Sequence, residues 1–206
     1  MERLARLGVF GGTFDPPHLG HLILAAEAQD QLSLDRVLWV LTPEPPHKQG
    51  QNVQSLEDRL GMLHIAISEY PQFQLSRVDI DRPPPLYAVD TVHLLAQQYP
   101  QAELVYLIGG DSLHDLPGCH KPAELLQAAS YLGVMRRPND RVDLPALEQI
   151  IPGLSRKIQN IDAPLLEISS SEIRQRIAAG RPFRHYLPLG VYFLIRERHL
   201  YGYQNG

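Results

Sequence analysis

Short apolar runs alternate along the chain with longer stretches in which apolar residues recur every three or four positions. Leu7 to Phe10 reads as a buried strand, followed at once by Gly11 and Gly12. The spacing predicts a helix from about Leu19 to Leu32 and a second strand over Arg36 to Leu41 (RVLWVL). Thr42 to Gln54 has no period and holds Pro43, Pro45 and Pro46, which predicts a loop. Ser55 with Asp58 after it resembles a helix start, and Leu60, Leu63 and Ile67 continue that helix. Gln74 to Ile80 alternates as a strand does, whereas Pro83, Pro84 and Pro85 make Arg82 to Tyr87 extended loop. Further helices are expected at about Val89 to Tyr99, Pro122 to Ala129, Ser170 to Ala179 and Leu189 to Arg198. Further strands are expected at Glu103 to Ile108, Tyr131 to Met135 and Leu165 to Ile168, with a less regular region before the last of these.

Alternation of this kind implies βαβ units and a parallel sheet, an α/β fold. Ligands of such sheets sit at the carboxyl ends of the strands. Gly11-Gly12, Thr42-Pro43, Gly109-Gly110-Asp111 and Arg136-Arg137 all follow strands directly, so all four are expected on one edge. One domain spanning 1–206 suits the length, with about 165–206 as a small C-terminal helical subdomain. A net charge of −4 and no clustered Lys/Arg stripe argue against nucleic-acid binding. The single cysteine, Cys119, excludes an internal disulfide and a cysteine-based zinc cluster. With no secretory pattern and no apolar run of about 18 residues, a cytoplasmic location away from membranes is expected. Proline is in excess, at 18 in 206 residues, against roughly 5% in average usage.

The segment richest in chemistry is Gly11 to His21 (GGTFDPPHLGH), which follows a strand and opens a helix. Its glycines let the backbone approach a ligand closely, and amides at a helix start attract phosphate oxygens. His18 and His21 lie three apart and face the same way on a helical turn. Two imidazoles there can stabilise charge that develops on a phosphate. A metal site of His18, His21 and Asp15 lacks evident further ligands. The second segment is Ile168 to Arg174 (ISSSEIR). Ser169 with Glu172 fits a capping box, and the same amides and hydroxyls with Arg174 also fit a polyphosphate site. Lys48, Arg136 and Arg137 fit solvated charges equally well, Asp111 fits a helix cap, and Trp39 fits the core. For Arg59, a salt bridge is the expectation.

Gly12 to His21 resembles the G-x-F-D-P-x-H-x-G-H signature of the HxGH-motif nucleotidyltransferases, and Ile168 to Arg174 resembles their I-S-S-T-x-I-R motif, with Ser171 in place of Thr. Within that superfamily the chain is most similar to the nicotinate mononucleotide adenylyltransferase family. The further matches are Thr42 to Lys48 (TPEPPHK), Leu86 to Thr91 (LYAVDT), Ile108 to Leu113 (IGGDSL) and Arg136-Arg137-Pro138. The chain departs from the family at Cys119, where an aromatic residue usually stacks on the pyridine, and at Ala88, where Thr is usual.

The resemblance implies a Rossmann-like doubly wound sheet and transfer of the adenylyl group of ATP to nicotinate mononucleotide, giving deamido-NAD and pyrophosphate. It implies Mg²⁺ accompanying ATP and no resident metal, and it leaves a homo-oligomer open. His18, His21 and Arg174 would be catalytic. Gly11, Gly12, Thr13, Phe14, Gly109, Asp111, Arg136, Ile168, Ser169 and Ser170 would complete the ATP site. Gly12, Thr13, Phe14, Lys48, Tyr87, Ala88, Asp111, Cys119 and His120 would hold the mononucleotide. Alternative readings are transfer to nicotinamide mononucleotide or to both mononucleotides, transfer to another phosphorylated metabolite such as phosphopantetheine, and a non-catalytic nucleotide-binding module.

Overall fold

A computed structural model describes residues 5–44, 53–136, 142–164 and 167–204; the side chain of Arg136 lies outside the description. Six parallel strands form one sheet: β1 (Ala5–Gly12), β2 (Arg36–Leu41), β3 (Phe73–Ser76), β4 (Ala102–Gly109), β5 (Tyr131–Arg136) and β6 (Ile158–Asp162). Their order is β3-β2-β1-β4-β5-β6. The chain winds outward from β1 to β3, then returns to the other side of β1 to lay down β4, β5 and β6. Such an order opens a crevice between β1 and β4 at the carboxyl edge. The pairing of Phe10 with Leu107 keeps the ends of β1 and β4 side by side there.

Helices cover both faces, so the strands read as unbroken apolar runs. Successive side chains divide between the faces. Phe10, Trp39 and Leu107 pack on one side with residues of α1 (Leu19–Gln31), α2 (Leu56–Ile67), α8 (Ser170–Ala178) and α9 (Leu189–Glu197). Val9, Leu38 and Ile108 pack on the other with α3 (Ala88–Gln98), α4 (Gly110–His114), α5 (Pro122–Ala128), α6 (Leu144–Ile150) and α7 (Leu154–Lys157). Ile173, Val191 and Ile195 from the C-terminal helices therefore share a core with α1 and α2. No described helix is long and apolar enough to cross a membrane.

Several expected elements shift. β1 takes in Gly11 and Gly12, because both remain paired with β2, opposite Val40 and Leu41. β3 stops at Ser76: beyond it Ile80 and Asp81 donate to the Arg77 carbonyl, and an Arg77–Asp81 ion pair at 2.7 Å closes the turn. The expected strand from Leu165 to Ile168 is not formed at Ile168, and residues 165–166 lie outside the description. The sixth strand is Ile158–Asp162. Gly109, expected just after its strand, is the last residue of β4 and caps α4, which begins with Gly110 and Asp111.

Candidate active site

A cleft of about 1100 Å³ opens at the carboxyl edge over β1 and β4. Its walls gather Gly11, His18, His21, Gly109, Ile168, Ser169 and Ser170 with Tyr87, Ala88, Cys119 and His120. The two motifs, some 150 residues apart in the chain, thus meet in one cavity.

His18 is the N-cap of α1, in extended backbone conformation. Its backbone N–H donates to His21 Nδ1 at 3.2 Å, which places the proton of the His21 ring on Nε2. The two rings stack at 3.6 Å between centroids. Below them Phe14 meets His21 edge-on at 5.2 Å, and Phe10 and Trp39 pack against Phe14. Trp39 is wholly buried, a core residue as its setting in the apolar run suggested. Two glycines make this stack fit. A Cβ on Gly12 would stand 2.9 Å from the Phe14 ring, and one on Gly20 would stand 3.0 Å from His18 Nδ1. Phe14 itself takes a left-handed φ of 48° to fold its ring back under the loop.

His18 is 5% exposed, and burial pulls its pKa down to about 4. The ring is neutral near pH 7, and its Nδ1 has no hydrogen-bond partner among the described residues. Neutrality suits the stack, since two imidazolium rings in contact would repel.

The second motif docks onto the first. Ser169 caps α8, its side chain accepting from the Glu172 amide at 3.1 Å, so half of the expected capping box is present. Ser170 Oγ donates to the Pro16 carbonyl at 2.9 Å. Arg174 donates to the Asp15 carbonyl at 2.7 Å and to Ser171 Oγ at 3.2 Å. Tyr201, near the end of the chain, donates to the buried Asp15 carboxylate at 2.7 Å. Burial together with that carboxylate raises the Tyr201 pKa, so the phenol stays a donor.

Arg59 departs from its expected salt bridge. It is 2% exposed and donates to four backbone carbonyls: Gln54 at 3.0 Å, Thr13 at 3.1 Å, Thr42 at 2.8 Å and Pro43 at 2.6 Å. Burial lowers its pKa, and the charge of Asp15 works against that. One side chain of α2 thereby ties the histidine loop to the loop after β2.

On the opposite side of the cleft, Tyr87 caps α3 and stacks on His120 at 3.9 Å. Arg82 fixes this corner. It pairs with the buried Asp79 at 2.9 Å and donates to the Tyr87 carbonyl and to Thr91 Oγ1. Cys119 Sγ lies 3.8 Å from the Asp115 carbonyl, and burial raises its thiol pKa.

The remaining sequence candidates fall elsewhere. Gly12, Thr13, Phe14, Asp111 and Arg174 are not wall residues of the cleft: Phe14 is buried beneath it, and Asp111 stands exposed in the first turn of α4. Arg136 ends β5. Lys48 and Arg137 lie outside the described residues. Sequence reasoning missed Tyr106, Ser171, Lys121 and Met135, which also line the cleft. Tyr106 and Met135 belong to apolar strand runs, where nothing in the pattern separates a cleft residue from a core residue. Among the described residues no three His, Cys, Asp or Glu side chains converge as a metal cage.

A model of the cytidylyltransferase-like family matches residues 9–176. A protein of Thermomicrobium roseum with the curated name probable nicotinate-nucleotide adenylyltransferase is 44% identical over 198 residues, 96% of this chain and 92% of its own. A protein of the same name from Geobacillus kaustophilus is 36% identical over 203 residues, 98% of this chain and 89% of its own. In fold the chain resembles the nicotinic acid mononucleotide adenylyltransferase of Plasmodium falciparum solved in complex with NaAD. The TM-score is 0.78 at 17% identity, covering 97% of this chain and 98% of that one. With the two motifs meeting in one cleft at the sheet's crossover, the chain belongs to the cytidylyltransferase-like family and, within it, to the nicotinate-nucleotide adenylyltransferases.

Proposed function

We propose that the protein transfers the adenylyl group of ATP to nicotinate mononucleotide, releasing pyrophosphate and forming deamido-NAD. The observation that carries this reading is the convergence of the His18–His21 stack with the start of α8 across one cleft. A mononucleotide phosphate is already an anionic nucleophile, so attack on the α-phosphorus of ATP needs no general base. The protein must instead hold two polyanions in line and stabilise charge on the α-phosphate and the departing pyrophosphate.

The parts suit that task. Neutral His18 and His21 offer N–H donors, and negative charge arriving beside them would favour the protonated form just where charge accumulates. Ser169, Ser170 and the first amides of α8 suit the β- and γ-phosphates. Arg174 has five N–H donors, of which those on the histidine loop and Ser171 use only part. It can therefore clamp the loop and meet phosphate together. Gly11, Gly12, Thr13 and Phe14 bring backbone to the reacting phosphates, and Ile168, Gly109, Asp111 and Arg136 serve the adenosine side. Lys48 serves the mononucleotide phosphate, while Tyr87, Ala88, Cys119 and His120 frame the pyridine. Mg²⁺ enters with ATP as part of that substrate, offsetting its charge.

The test is pyrophosphate release with MgATP and a panel of phosphorylated acceptors. Nicotinate mononucleotide should give the highest kcat/KM, above nicotinamide mononucleotide and phosphopantetheine. Absence of release with either pyridine mononucleotide would refute the proposal, and ATP binding without release for any acceptor would point to a binding module.

A further inference from the structure

Tyr106 lies in β4 between two apolar neighbours, in a run that reads as core. Its side chain nevertheless faces the cleft. Strand alternation sends Tyr106, with Leu104 and Ile108, to the α3–α5 face of the sheet, while Leu107 goes to the α1–α8 face. The two faces of the cleft therefore differ. The histidine stack and the start of α8 lie on the side of Leu107. Tyr87, Ala88 and Cys119 lie on the side of Tyr106.

The phenol oxygen comes to 3.9 Å from where a Cβ of Gly11 would stand, so Gly11 leaves open space above it at the end of β1. The hydroxyl is not sealed away, since Tyr106 forms part of the cleft wall together with Gly11. Asp79, the nearby carboxylate, is already engaged by Arg82 and Thr91. Burial, with the neighbouring Cys119 and Asp79, pushes the phenol pKa up to about 12, so it remains a donor across the working pH range. A donor held in the wall of a cleft is placed to meet a ligand oxygen. The side chains of Ala88 and Cys119 add little hydrogen-bonding capacity to the adjacent wall, where Tyr87 and His120 are further polar groups.

We infer that Tyr106 is an acceptor-specificity residue, its hydroxyl donating to an oxygen on the pyridine side of the bound mononucleotide and not to ATP. The inference rests on the proposed adenylyl transfer to a pyridine mononucleotide. A carboxylate-bearing pyridine gains most, because a hydrogen bond to a charged acceptor is stronger than one to an amide.

The experiment is Tyr106→Phe, which keeps the ring and removes only the oxygen. Steady-state KM is measured separately for nicotinate mononucleotide, nicotinamide mononucleotide and ATP, with the thermal midpoint as control. The expected result is a KM for nicotinate mononucleotide raised about tenfold or more, a smaller rise for the amide, and a KM for ATP within about twofold of wild type. An unchanged KM for nicotinate mononucleotide, or equal rises for acceptor and ATP, would overturn the inference. Equal rises for the acid and the amide would also overturn it. If the wild-type protein itself turns over neither mononucleotide, the failure belongs to the proposed function and not to Tyr106.

Discussion

His18 combines a buried ring, an unpartnered Nδ1 and a stacked neighbour, and its titration sets a measurable signature. In the unfolded chain a histidine takes its proton near pH 6.5, whereas burial holds the native group down to about 4. Above about pH 6.5 both states are neutral, and the group costs nothing. As pH falls through that value the unfolded chain binds a proton that the native ring refuses, so stability declines until the native ring also titrates near 4. The loss over that window is about 3 kcal/mol. His18→Asn removes the titration. Urea midpoints at pH 7 and pH 4.5 should therefore lie closer together in the variant than in wild type. The same variant replaces an imidazole that can gain a proton beside developing phosphate charge with a shorter amide that cannot, and turnover should fall about 100-fold or more. Identical acid sensitivity of the two proteins would show that another group dominates, and undiminished turnover would remove His18 from the chemistry. At this scale the sequence was legible in kind. The histidines, the serines and Tyr87 could be named because their motifs are local. Arg59 could not be placed, because its four carbonyl partners come from segments that meet only in the fold.

Among the elements, α2 and α8 act as braces for the loop between β1 and α1. Arg59 on α2 holds the carbonyls of Thr13, Thr42 and Pro43, while Ser170 and Arg174 on α8 hold those of Pro16 and Asp15. Loop carbonyls facing inward need donors, and a buried guanidinium supplies several in one rigid fork. Arg59→Met keeps most of the side-chain volume and leaves those carbonyls unpaired. A stability loss of at least about 3 kcal/mol is expected by chemical denaturation, with reduced turnover in the protein that remains folded. A variant as stable as wild type would mean that the loops re-pair without Arg59. The element pattern also shows where sequence periodicity stops working. β2 was legible to the residue because both its faces are buried and every position is apolar except the first. β6 was not, because Gln159 and Asn160 interrupt it and, at the sheet edge, it pairs with β5 alone. α4 spans five residues, too few for a helical period to declare itself. β3 was read too long because Val78 and Ile80 alternate with polar residues as a strand would, although they lie in a turn and out of phase with Phe73 and Leu75.

At the scale of the whole molecule the cleft is a product of strand order. A parallel sheet with ligand-facing segments at one edge could be read from the alternation of elements, whereas the placement of β4 beside β1, which depends on which way the chain turns after β3, was implied only by the resemblance to a doubly wound fold. That turn lets residues near 11, 106, 120 and 170 share one cavity, with Tyr201 clasping Asp15 from the far end of the chain. A ligand spanning the cavity would bind the native arrangement and nothing in the unfolded chain, so binding adds directly to the stability of the whole fold. With ligand at about 100 times its dissociation constant the gain is about 2.7 kcal/mol. For a domain of this size each kcal/mol raises the midpoint by roughly 2–4 °C. MgATP at that saturation should therefore raise the thermal midpoint by about 5–10 °C. Because α8 and α9 share a core with α1 and α2, the C-terminal region should shift together with the rest, in one transition. Scanning calorimetry with and without MgATP separates the outcomes. One peak displaced upward supports a cavity built from the whole chain. Two peaks, of which only one moves, would show that the C-terminal helices unfold on their own and that ATP is held without them.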